Sequence, residues 1–465
     1  MLRVHRVEDV RAAEEALAAT LPAGELMRRA ARGLADHLDC IPPGDLVLLL
    51  IGPGNNGGDA MYAAVHLLDR GVRVDMSLLD ADAVHAPGLA AATGAGAQVV
   101  DGPSDQRWCV DAVFGIGGRG GLTGRAAEWA SWLAERRPFT IAVDVPSGVD
   151  VDGATLPMSH VVADRTVTFG TRKVALLVDP AAAVAGPSSL VDIGLATHLP
   201  APALEALESS DGELLRSVVP GGVAHKYTRG VLGIAAGSEQ YAGAAHLCVA
   251  GAQAGPVGMI RFVGTPELGR RIVDRTPEVV AGRGRVQAWV IGPGSGDDAA
   301  DQLAMALEDG VPVVVDASAL QHLPGRFDVP ALLTPHAGEL AQMLGTTREA
   351  VEADPLGHAS AAAERWNATV LLKGRRSLIA QAGAPTRVNL SGTPWLATAG
   401  AGDVLAGFAG SLLAAGLEPL DAGAVAAYLH GVAAERANPG GPIVATDVAL
   451  ELPAAVAAFI RGSLA

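Results

Sequence analysis

Residues 52–59 (GPGNNGGD) combine four glycines with two asparagines and an aspartate, directly after the apolar run 46–51. Glycine lets the backbone approach a ligand closely, and free N–H groups at a helix N-terminus attract phosphate. A structural turn would explain the glycines by themselves. Because a turn needs only one Asn or Asp, the three polar side chains favour a binding loop.

Two further polar loops have the same arrangement. Residues 111–121 (DAVFGIGGRGG) and 144–150 (DVPSGVD) each begin where a short apolar run ends. The carboxyl ends of parallel strands meet at one crevice of an open α/β sheet, so we expect the three loops to surround one ligand. Their Asn, Asp and Ser side chains offer only oxygen ligands, and a cation held there should be hard rather than zinc-like.

A second group of motifs lies in the other half of the chain. Residues 398–403 (TAGAGD) precede the apolar stretch 404–417. A Gly-rich turn at a helix N-terminus forms an anion hole for a phosphoryl group, and Asp403 could accept a hydroxyl proton beside it. Taken alone, the segment is explained equally well by an N-cap aspartate after a flexible loop.

Four other motifs favour phosphoryl transfer, and each follows an apolar run. They are residues 291–296 (IGPGSG), 315–320 (VDASAL), 333–339 (LTPHAGE) and 372–377 (LKGRRS). Lys373 is one of three lysines in the chain, so its place in a Gly-flanked turn points to function. A lone His336 would more often be structural, but Thr-Pro before it and Glu339 after it favour a functional role.

Short apolar runs alternate with helical stretches in both halves, which predicts parallel α/β sheets covered on both faces. A length of 465 residues allows two domains. Residues 195–211 show no strand pattern, so we predict domains at residues 1–208 and 212–465. Further expected elements are helices over 10–38 and 60–70, strands over 46–51, 72–79, 108–114, 140–145, 231–235, 288–291, 311–315, 331–334 and 369–372, and a bent helix followed by a strand over 240–260.

Composition excludes several classes of protein. The formal net charge of −16 argues against a nucleic-acid binder, which would be basic. Three cysteines are too few for a disulfide framework or a zinc site and fit a reducing cytoplasm. The N-terminus has no apolar stretch typical of a signal peptide, and residues 240–260 contain too many polar residues for a membrane span.

The first three motifs resemble, in order and approximate spacing, the NAD(P)H-hydrate epimerase domain. The resemblance implies a Rossmann-like three-layer fold, with Asp144 as the catalytic acid/base and potassium bound by Asn56, Asp111 and Ser147. Arg119 stands where some members have lysine and keeps the charge and the phosphate affinity. The residues that the resemblance assigns to substrate binding are Asn55, Asn56, Gly57, Gly58, Asp59, Gly115, Ile116, Gly117, Gly118, Arg119, Gly120, Gly121 and Asp144.

The second group, together with His225-Lys226, Gly237-Ser238 and residues 243–245 (GAA), resembles the ribokinase-like dehydratase domain of NAD(P)H-hydrate repair over about residues 212–460. Asp403 would then activate the substrate hydroxyl. Ser377 replaces the usual Thr but keeps a hydroxyl, while Ala399 and Ala401 replace residues that are often Gly and Ser. The implied nucleotide contacts are Lys373, Gly374, Arg375, Arg376, Ser377 and Gly402, and the implied hydrate contacts are Ala244, Gly294, Gly296, His336 and Asp403.

The two resemblances together imply a bifunctional repair enzyme for nicotinamide nucleotides. It would epimerise the R and S hydrates of NADH and NADPH and would dehydrate the S form at the expense of ADP or ATP with Mg²⁺. The alternative is a ribokinase-like small-molecule kinase fused to a non-catalytic Rossmann-like binding module. Retention of Asn56, Asp111, Asp144 and Ser147 argues against that alternative. We expect a cytoplasmic homo-oligomer with small-molecule substrates and with no nucleic-acid or membrane partner.

Overall fold

The computed structural model describes residues 1–118 and 120–464. Arg119, which the sequence places among the substrate contacts, lies outside the described residues. The chain divides into two compact units. We call Arg3–Leu204 the N-terminal unit, and Glu205–Ala465 with Met1–Leu2 the C-terminal unit.

The N-terminal unit alternates strands and helices along most of its length. Its strands are β1 Leu2–His5, β2 Leu46–Ile51, β3 Arg73–Leu78, β4 Gln98–Val100, β5 Trp108–Ala112, β6 Phe139–Val143, β7 Arg165–Phe169, β8 Arg172–Lys173 and β9 Ser188–Val191. Its helices are α1 Val7–Ala18, α2 Glu25–His37, α3 Asn55–Asp69, α4 Ala86–Ala95, α5 Gly124–Arg136 and α6 Ala181–Val184, with a 3-10 turn at Val174–Leu176.

The main sheet of this unit is parallel throughout, in the order β4-β3-β2-β5-β6-β7-β9. Alternate residues of β2 enter two different cores, because successive side chains of a strand point to opposite faces. Val47 and Leu49 pack in a core that includes residues of α2 and α3. Leu48 and Leu50 pack with residues of α5. The predicted three-layer arrangement is therefore confirmed.

The C-terminal unit has the same alternation with a longer helical end. Its strands are β10 Leu204–Ala206, β11 Val231–Ala235, β12 Met259–Val263, β13 Val279–Ala281, β14 Ala288–Ile291, β15 Val313–Val315, β16 Ala331–Leu333, β17 Thr369–Leu372, β18 Leu378–Ala380 and β19 Thr386–Val388. Its helices are α7 Ala242–Gln253, α8 Pro266–Arg275, α9 Ala299–Glu308, α10 Ala337–Leu344, α11 Arg348–Ala353, α12 Pro355–Trp366, α13 Ala401–Ala414, α14 Pro419–Ala437 and α15 Ala445–Ile460. Three 3-10 segments lie at Asp211–Val218, Ala317–His322 and Pro394–Leu396.

The sheet of this unit contains the order β13-β12-β11-β14-β15-β16-β17-β18-β19. The strands are parallel from β13 to β17, and β18 and β19 extend the sheet antiparallel. One face packs on α7, α13, α14 and α15. On the other face, the Trp289 indole N–H donates to the Asp309 carboxylate at the end of α9, 2.9 Å away. The predicted α/β class is confirmed for both units.

Two helices begin earlier than the apolar pattern predicts. The structure starts α3 at Asn55 and α13 at Ala401, directly after Gly54 and Gly400, whose φ angles of +91° and +86° end the preceding loop. The polar motifs are thus the first turns of their helices, and they lack the apolar periodicity by which helices are predicted.

Other differences are smaller. The stretch predicted as helical over residues 10–38 forms two helices, α1 and α2, and residues 195–211 contain the strand β10. Residues 240–260 contain α7 and the start of β12, as predicted. Across residues 1–118 and 120–464, no helix is both long and apolar enough to cross a membrane.

The three cysteines are free thiols in different environments. Cys40 is exposed, whereas Cys109 in β5 and Cys248 in α7 are buried. Burial raises the pKa of both buried thiols well above the usual value, and nearby carboxylates add to the effect. Both therefore remain protonated at neutral pH.

Candidate active sites

The loops that follow β2, β5 and β6 meet in the N-terminal unit. A Cβ added at Gly115 would lie 3.0 Å from Asn56 Oδ1 and 3.3 Å from Asp144 Oδ2, so the Gly115 backbone contacts both side chains. The Asn56 amide donates to the carbonyl of Val143 at 3.1 Å. The three motifs thus form one site at the β2/β5 position, where the direction of strand order changes.

The first turn of α3 supplies free backbone donors to this site. Asn55 is exposed and Asn56 is half-buried, while Gly57 and Gly58 are buried. A Cβ at Gly57 would lie 2.4 Å from the carbonyl oxygen of Gly52, so this close approach requires glycine. The first N–H groups of the helix have no intrahelical acceptor and can bind an anion.

Asp111 and Ser147 form a buried pair. The Ser147 hydroxyl donates to Asp111 Oδ1 at 2.6 Å, and the Ser147 N–H donates to Oδ2 at 2.8 Å. The same hydroxyl accepts the N–H of Phe114 at 2.9 Å. Burial raises the pKa of Asp111 to about 6, against the opposing effect of the Ser147 hydrogen bonds.

Asp144 is held by a buried lysine. Lys173 Nζ lies 2.5 Å from Asp144 Oδ1, and the Thr168 hydroxyl donates to the same oxygen at 3.0 Å. Two donors thus already occupy Oδ1 of Asp144. Oδ2, which faces Gly115, is the oxygen directed toward the loop. The φ of Asp144 is +70°, which is uncommon for a non-glycine residue and occurs often at functional sites.

Further acidic groups surround this carboxylate. Asp59 in α3 is buried, and its pKa lies well above the usual value because of burial and the nearby charges of Asp144 and Glu14. Burial also raises the pKa of Glu14 in α1, and Lys173 acts in the opposite direction. Arg11, one turn earlier in α1, lies beside Gly117 of residues 115–121, the glycine loop. Asp144, Asp59 and Glu14 thus form an acidic cluster with Lys173 and Arg11 as nearby cations.

In the C-terminal unit, Asp403 lies in the first turn of α13. Burial, together with the charge of Asp316, raises its pKa to about 6 against the opposing effect of Lys373. A carboxyl group with such a pKa can exchange a proton near neutral pH. The first N–H groups of the same turn have no intrahelical acceptor, as the predicted anion-binding turn requires.

Lys373 connects the motifs that follow three strands. Its Nζ lies 2.8 Å from Asp316 Oδ1 and 3.9 Å from Glu339 Oε2. A Cβ added at Gly402 would lie 3.5 Å from this Nζ, so the lysine stands beside the anion-binding turn. Burial opposes the charged form of Lys373, but the nearby carboxylates of Asp316 and Glu339 raise its pKa overall.

His336 has a structural role as well as an exposed face. Its Nδ1 accepts the N–H of Glu339 at 3.1 Å, and the Glu339 carboxylate accepts the N–H of His336 at 2.7 Å, so the pair caps α10. The His336 side chain is nevertheless 60% exposed. Lys373 lies beside His336, because the backbone N–H of Lys373 donates to the carbonyl of Pro335 at 2.8 Å.

The small residues expected to line the hydrate pocket lie at the start of α7 and after β14. A Cβ at Gly294 would lie 2.5 Å from the Ala244 methyl group, and one at Gly296 would lie 3.6 Å from Ser238. Gly374 and Ser377 close a turn that contains Arg375 and Arg376. The Ser377 hydroxyl accepts the N–H of Gly374 at 3.3 Å and lies at the same distance from the Gly374 carbonyl oxygen.

Several residues of the two sites were missed from the sequence. Lys173 was visible as one of only three lysines, but its distance of 29 residues from Asp144 hid the pairing. Asp316 and Glu339 stood inside motifs that the sequence singled out, yet only the structure joins them to Lys373. No sequence signal indicated Thr168 or Glu14.

Comparison with known proteins agrees with this arrangement. The family profile described as NAD(P)H-hydrate dehydratase matches residues 232–451, and the profile described as YjeF-related protein N-terminus matches residues 23–175. The bifunctional NAD(P)H-hydrate repair enzyme Nnr of Mycobacterium leprae is 40% identical over 472 residues, covering 96% of this chain and 97% of its own length. The chain belongs to the bifunctional NAD(P)H-hydrate repair enzyme family.

Solved structures support the ribokinase-like fold. The ADP/ATP-dependent NAD(P)H-hydrate dehydratase of Bacillus subtilis, co-crystallised with ATP/Mg²⁺, is 27% identical with a TM-score of 0.50, covering 53% of this chain and 97% of its own. A ribokinase-like superfamily protein of Enterococcus faecalis shares the fold at 22% identity and a TM-score of 0.50, covering 57% of this chain and 99% of its own. The predicted membership in the repair family and the ribokinase-like fold are therefore confirmed.

Proposed function

We propose that the protein repairs hydrated NADH and NADPH in two steps. The N-terminal unit interconverts the R and S epimers, and the C-terminal unit dehydrates the S epimer at the expense of ADP or ATP. The observation that carries the proposal is the position of Asp403, which combines a pKa of about 6 with the free N–H groups of the α13 N-terminus.

In the dehydration step, Asp403 accepts the proton of the 6-hydroxyl group as the oxygen of that group attacks the terminal phosphoryl group of the nucleotide. The bond from this phosphorus to the bridging oxygen breaks, and AMP leaves from ADP, or ADP from ATP. The N–H groups at the start of α13 and the Lys373 ammonium stabilise the negative charge that develops on the phosphoryl oxygens. The C6–O bond then breaks as phosphate leaves, and loss of the C5 proton restores the dihydronicotinamide ring.

The remaining assignments in this unit follow the family resemblance. The nucleotide contacts Lys373, Gly374, Arg375, Arg376, Ser377 and Gly402, and its Mg²⁺ is held largely by phosphate oxygens and water. Ala244, Gly294, Gly296 and His336 line the pocket for the hydrate. The exposed face of His336 and the contact between Ala244 and Gly294 support these positions.

Epimerisation requires a bond to C6 to break and to re-form on the opposite face of the ring, and a proton must move to and from the C6 oxygen as this happens. Asp144 Oδ2 is the proposed acid/base atom, because Oδ1 is already bonded by Lys173 and Thr168. The substrate contacts are residues 55–59, the glycine loop 115–121 and Asp144. The free N–H groups at the start of α3 suit the phosphates of a nicotinamide nucleotide.

Asn56, Asp111 and Ser147 fit a potassium ion in this unit. Their donor set contains a single carboxylate and otherwise neutral oxygens, which is too little negative charge for a typical divalent site. The Asn56 amide nitrogen donates to Val143, and this leaves Oδ1 on the side of Gly115. Bound potassium would supply positive charge that keeps the buried Asp111 ionised and the three loops in register.

The decisive experiment incubates the purified protein with a mixture of hydrated NADH epimers, with no nucleotide, with ADP or with ATP. Complete recovery of the dihydronicotinamide absorbance with nucleotide requires both activities. Recovery that stops when the S form is consumed would contradict epimerisation. A product that stays phosphorylated would instead favour a small-molecule kinase.

We further propose a homo-oligomer located in the cytoplasm, without a nucleic-acid partner. The net charge of −16 supports the last point. Light scattering of the purified protein, and a nucleic-acid binding assay at low salt, test these expectations.

A further inference from the structure

We propose that Lys173 is a positioning residue for epimerisation, which acts by fixing the carboxylate of Asp144. This inference rests on the proposed function of the N-terminal unit and on the role of Asp144 in it. Lys173 belongs to the short strand β8, and its side chain is only 1% exposed.

The ammonium group of Lys173 has a partner for each of its three hydrogens. Nζ lies 2.5 Å from Asp144 Oδ1, 3.0 Å from Thr168 Oγ1 and 2.9 Å from the carbonyl oxygen of Phe169. A buried ammonium is costly unless all its donors are satisfied. Complete satisfaction fixes Nζ at one point, and the fixed Nζ in turn defines the position of Asp144 Oδ1.

Asp144 needs such an anchor because its backbone and its surroundings are both unfavourable. Its φ of +70° lies in the left-handed region, where a side chain other than glycine is strained. Glu14 of α1 and Asp59 of α3 lie close enough for the charge of Asp144 to raise the pKa of both, and Arg11 of α1 lowers that of Glu14. Lys173 is the cation bonded directly to this carboxylate in the described part of the chain.

The consequence is a division of labour between the two oxygens of Asp144. Oδ1 accepts hydrogen bonds from Lys173 and Thr168, and its orientation is thereby fixed. Oδ2 lies on the side of Gly115 and Asn56, where the proposed substrate loops meet. Without Lys173, the carboxylate could rotate away from the substrate even though its chemical identity is unchanged.

The test compares Lys173→Met with Lys173→Arg in the full-length chain. For Lys173→Met we expect the kcat of epimerisation to fall by about 10- to 100-fold, with a much smaller change in the KM for the hydrate, as is typical when a residue that orients a reacting group is lost. Lys173→Arg keeps a cationic donor and should recover part of the rate. Circular dichroism and thermal unfolding of each preparation report the amount of folded protein, because the dehydration rate depends on the other unit.

A second variant addresses loss of folding in Lys173→Met. Thr168→Val keeps the lysine and removes the other donor to Asp144 Oδ1 with little change of shape, so it should lower kcat several-fold in the same direction. An unchanged kcat in Thr168→Val or in folded Lys173→Met would overturn the proposal. So would equal losses in the Met and Arg variants, or a loss confined to KM. Absence of epimerisation in the wild-type protein would instead refute the proposed function.

Discussion

At the scale of single residues, the two sites use a lysine in different ways. In the N-terminal unit the lysine contacts the proposed catalytic carboxylate itself, at 2.5 Å. In the C-terminal unit Lys373 is bonded to Asp316. The charge of Asp316 raises the pKa of Asp403, and the charge of Lys373 lowers it. Asp403 therefore keeps a raised pKa, which suits a group that accepts a proton and later releases it.

The first prediction concerns the pH dependence of dehydration. Asp403 must be ionised to act as a base, and burial followed by the charge of Asp316 raises its pKa to about 6. The rate should therefore fall as the pH drops through about 6 and should level off above it. Asp316→Asn removes the like charge and should move this acid limb to lower pH. The measurement is kcat/KM against pH with ADP, and an acid limb at the same pH in both proteins would contradict the electrostatic explanation.

The second prediction concerns potassium. Replacing it with a much larger or a much smaller monovalent ion should slow epimerisation, and Asp111→Ala should cause the same loss and remove the dependence on the ion. Because burial raises the pKa of Asp111 to about 6, protonation should weaken the apparent affinity for potassium as the pH falls through that value. Potassium titrations of the epimerisation rate at several pH values measure this. Full activity of Asp111→Ala in potassium-free buffer would show that the pair with Ser147 is only a loop junction.

At the scale of elements, both sites depend on a helix that begins within a polar motif. Helix α13 packs against α7. At two glycines the backbones of these helices approach so closely that no side chain would fit between them. A Cβ at Gly407 would lie only 1.9 Å from the carbonyl oxygen of Cys248, and one at Gly251 would lie 2.1 Å from that of Val404. The position of Asp403 is thus tied to the close approach of two helices.

The third prediction follows from this close approach. Gly407→Ala must push α7 and α13 apart, which should destabilise the unit by about 1–3 kcal/mol and slow dehydration by displacing Asp403. Gly243→Ala in α7 is the matched control, because a Cβ there meets no atom within 4 Å. It should be neutral or should stabilise by about 0.4–1 kcal/mol. Thermal unfolding of both variants measures the difference, and equal stability would mean that the helices can separate at little cost.

The sequence predicted the elements better than the contacts between them. Apolar runs such as 46–51 and 288–291 indicated strands because a parallel strand that is buried on both faces has apolar residues at nearly every position. The helix starts at Asn55 and Ala401 were placed too late, since glycine and asparagine carry no apolar periodicity. The pairs formed by Lys173 with Asp144 and by Lys373 with Asp316 join residues 29 and 57 positions apart. Local patterns contain no information about such pairs.

At the scale of the whole molecule, each unit has its own buried core. Asp144 and Asp403 lie in different units, and neither unit needs a residue of the other to complete the geometry described for its site. The proposed activities should therefore be separable within one chain.

The fourth prediction tests this separability. Asp403→Asn should lower nucleotide-dependent dehydration on the order of 10²–10⁴-fold and leave epimerisation intact, because a positioned base is lost in one unit only. Asp144→Asn should have the reverse effect. An equimolar mixture of the two variants should repair both epimers completely, since the free S epimer can diffuse between molecules. Loss of both activities in either variant would show that the units depend on each other.

The burial of Cys109 and Cys248 bears on how the protein withstands oxidants. Cys109 stands two residues before Asp111 in β5, and Cys248 lies in α7 against Gly407 of α13, so each sulfur is close to the scaffold of one site. Peroxides and alkylating reagents attack thiolates, and burial keeps both groups as thiols. Cys40 is exposed and reacts first. Modification of cysteine would then be confined to Cys40. A single fluorescent maleimide could label the native chain at this residue without removal of the other two cysteines.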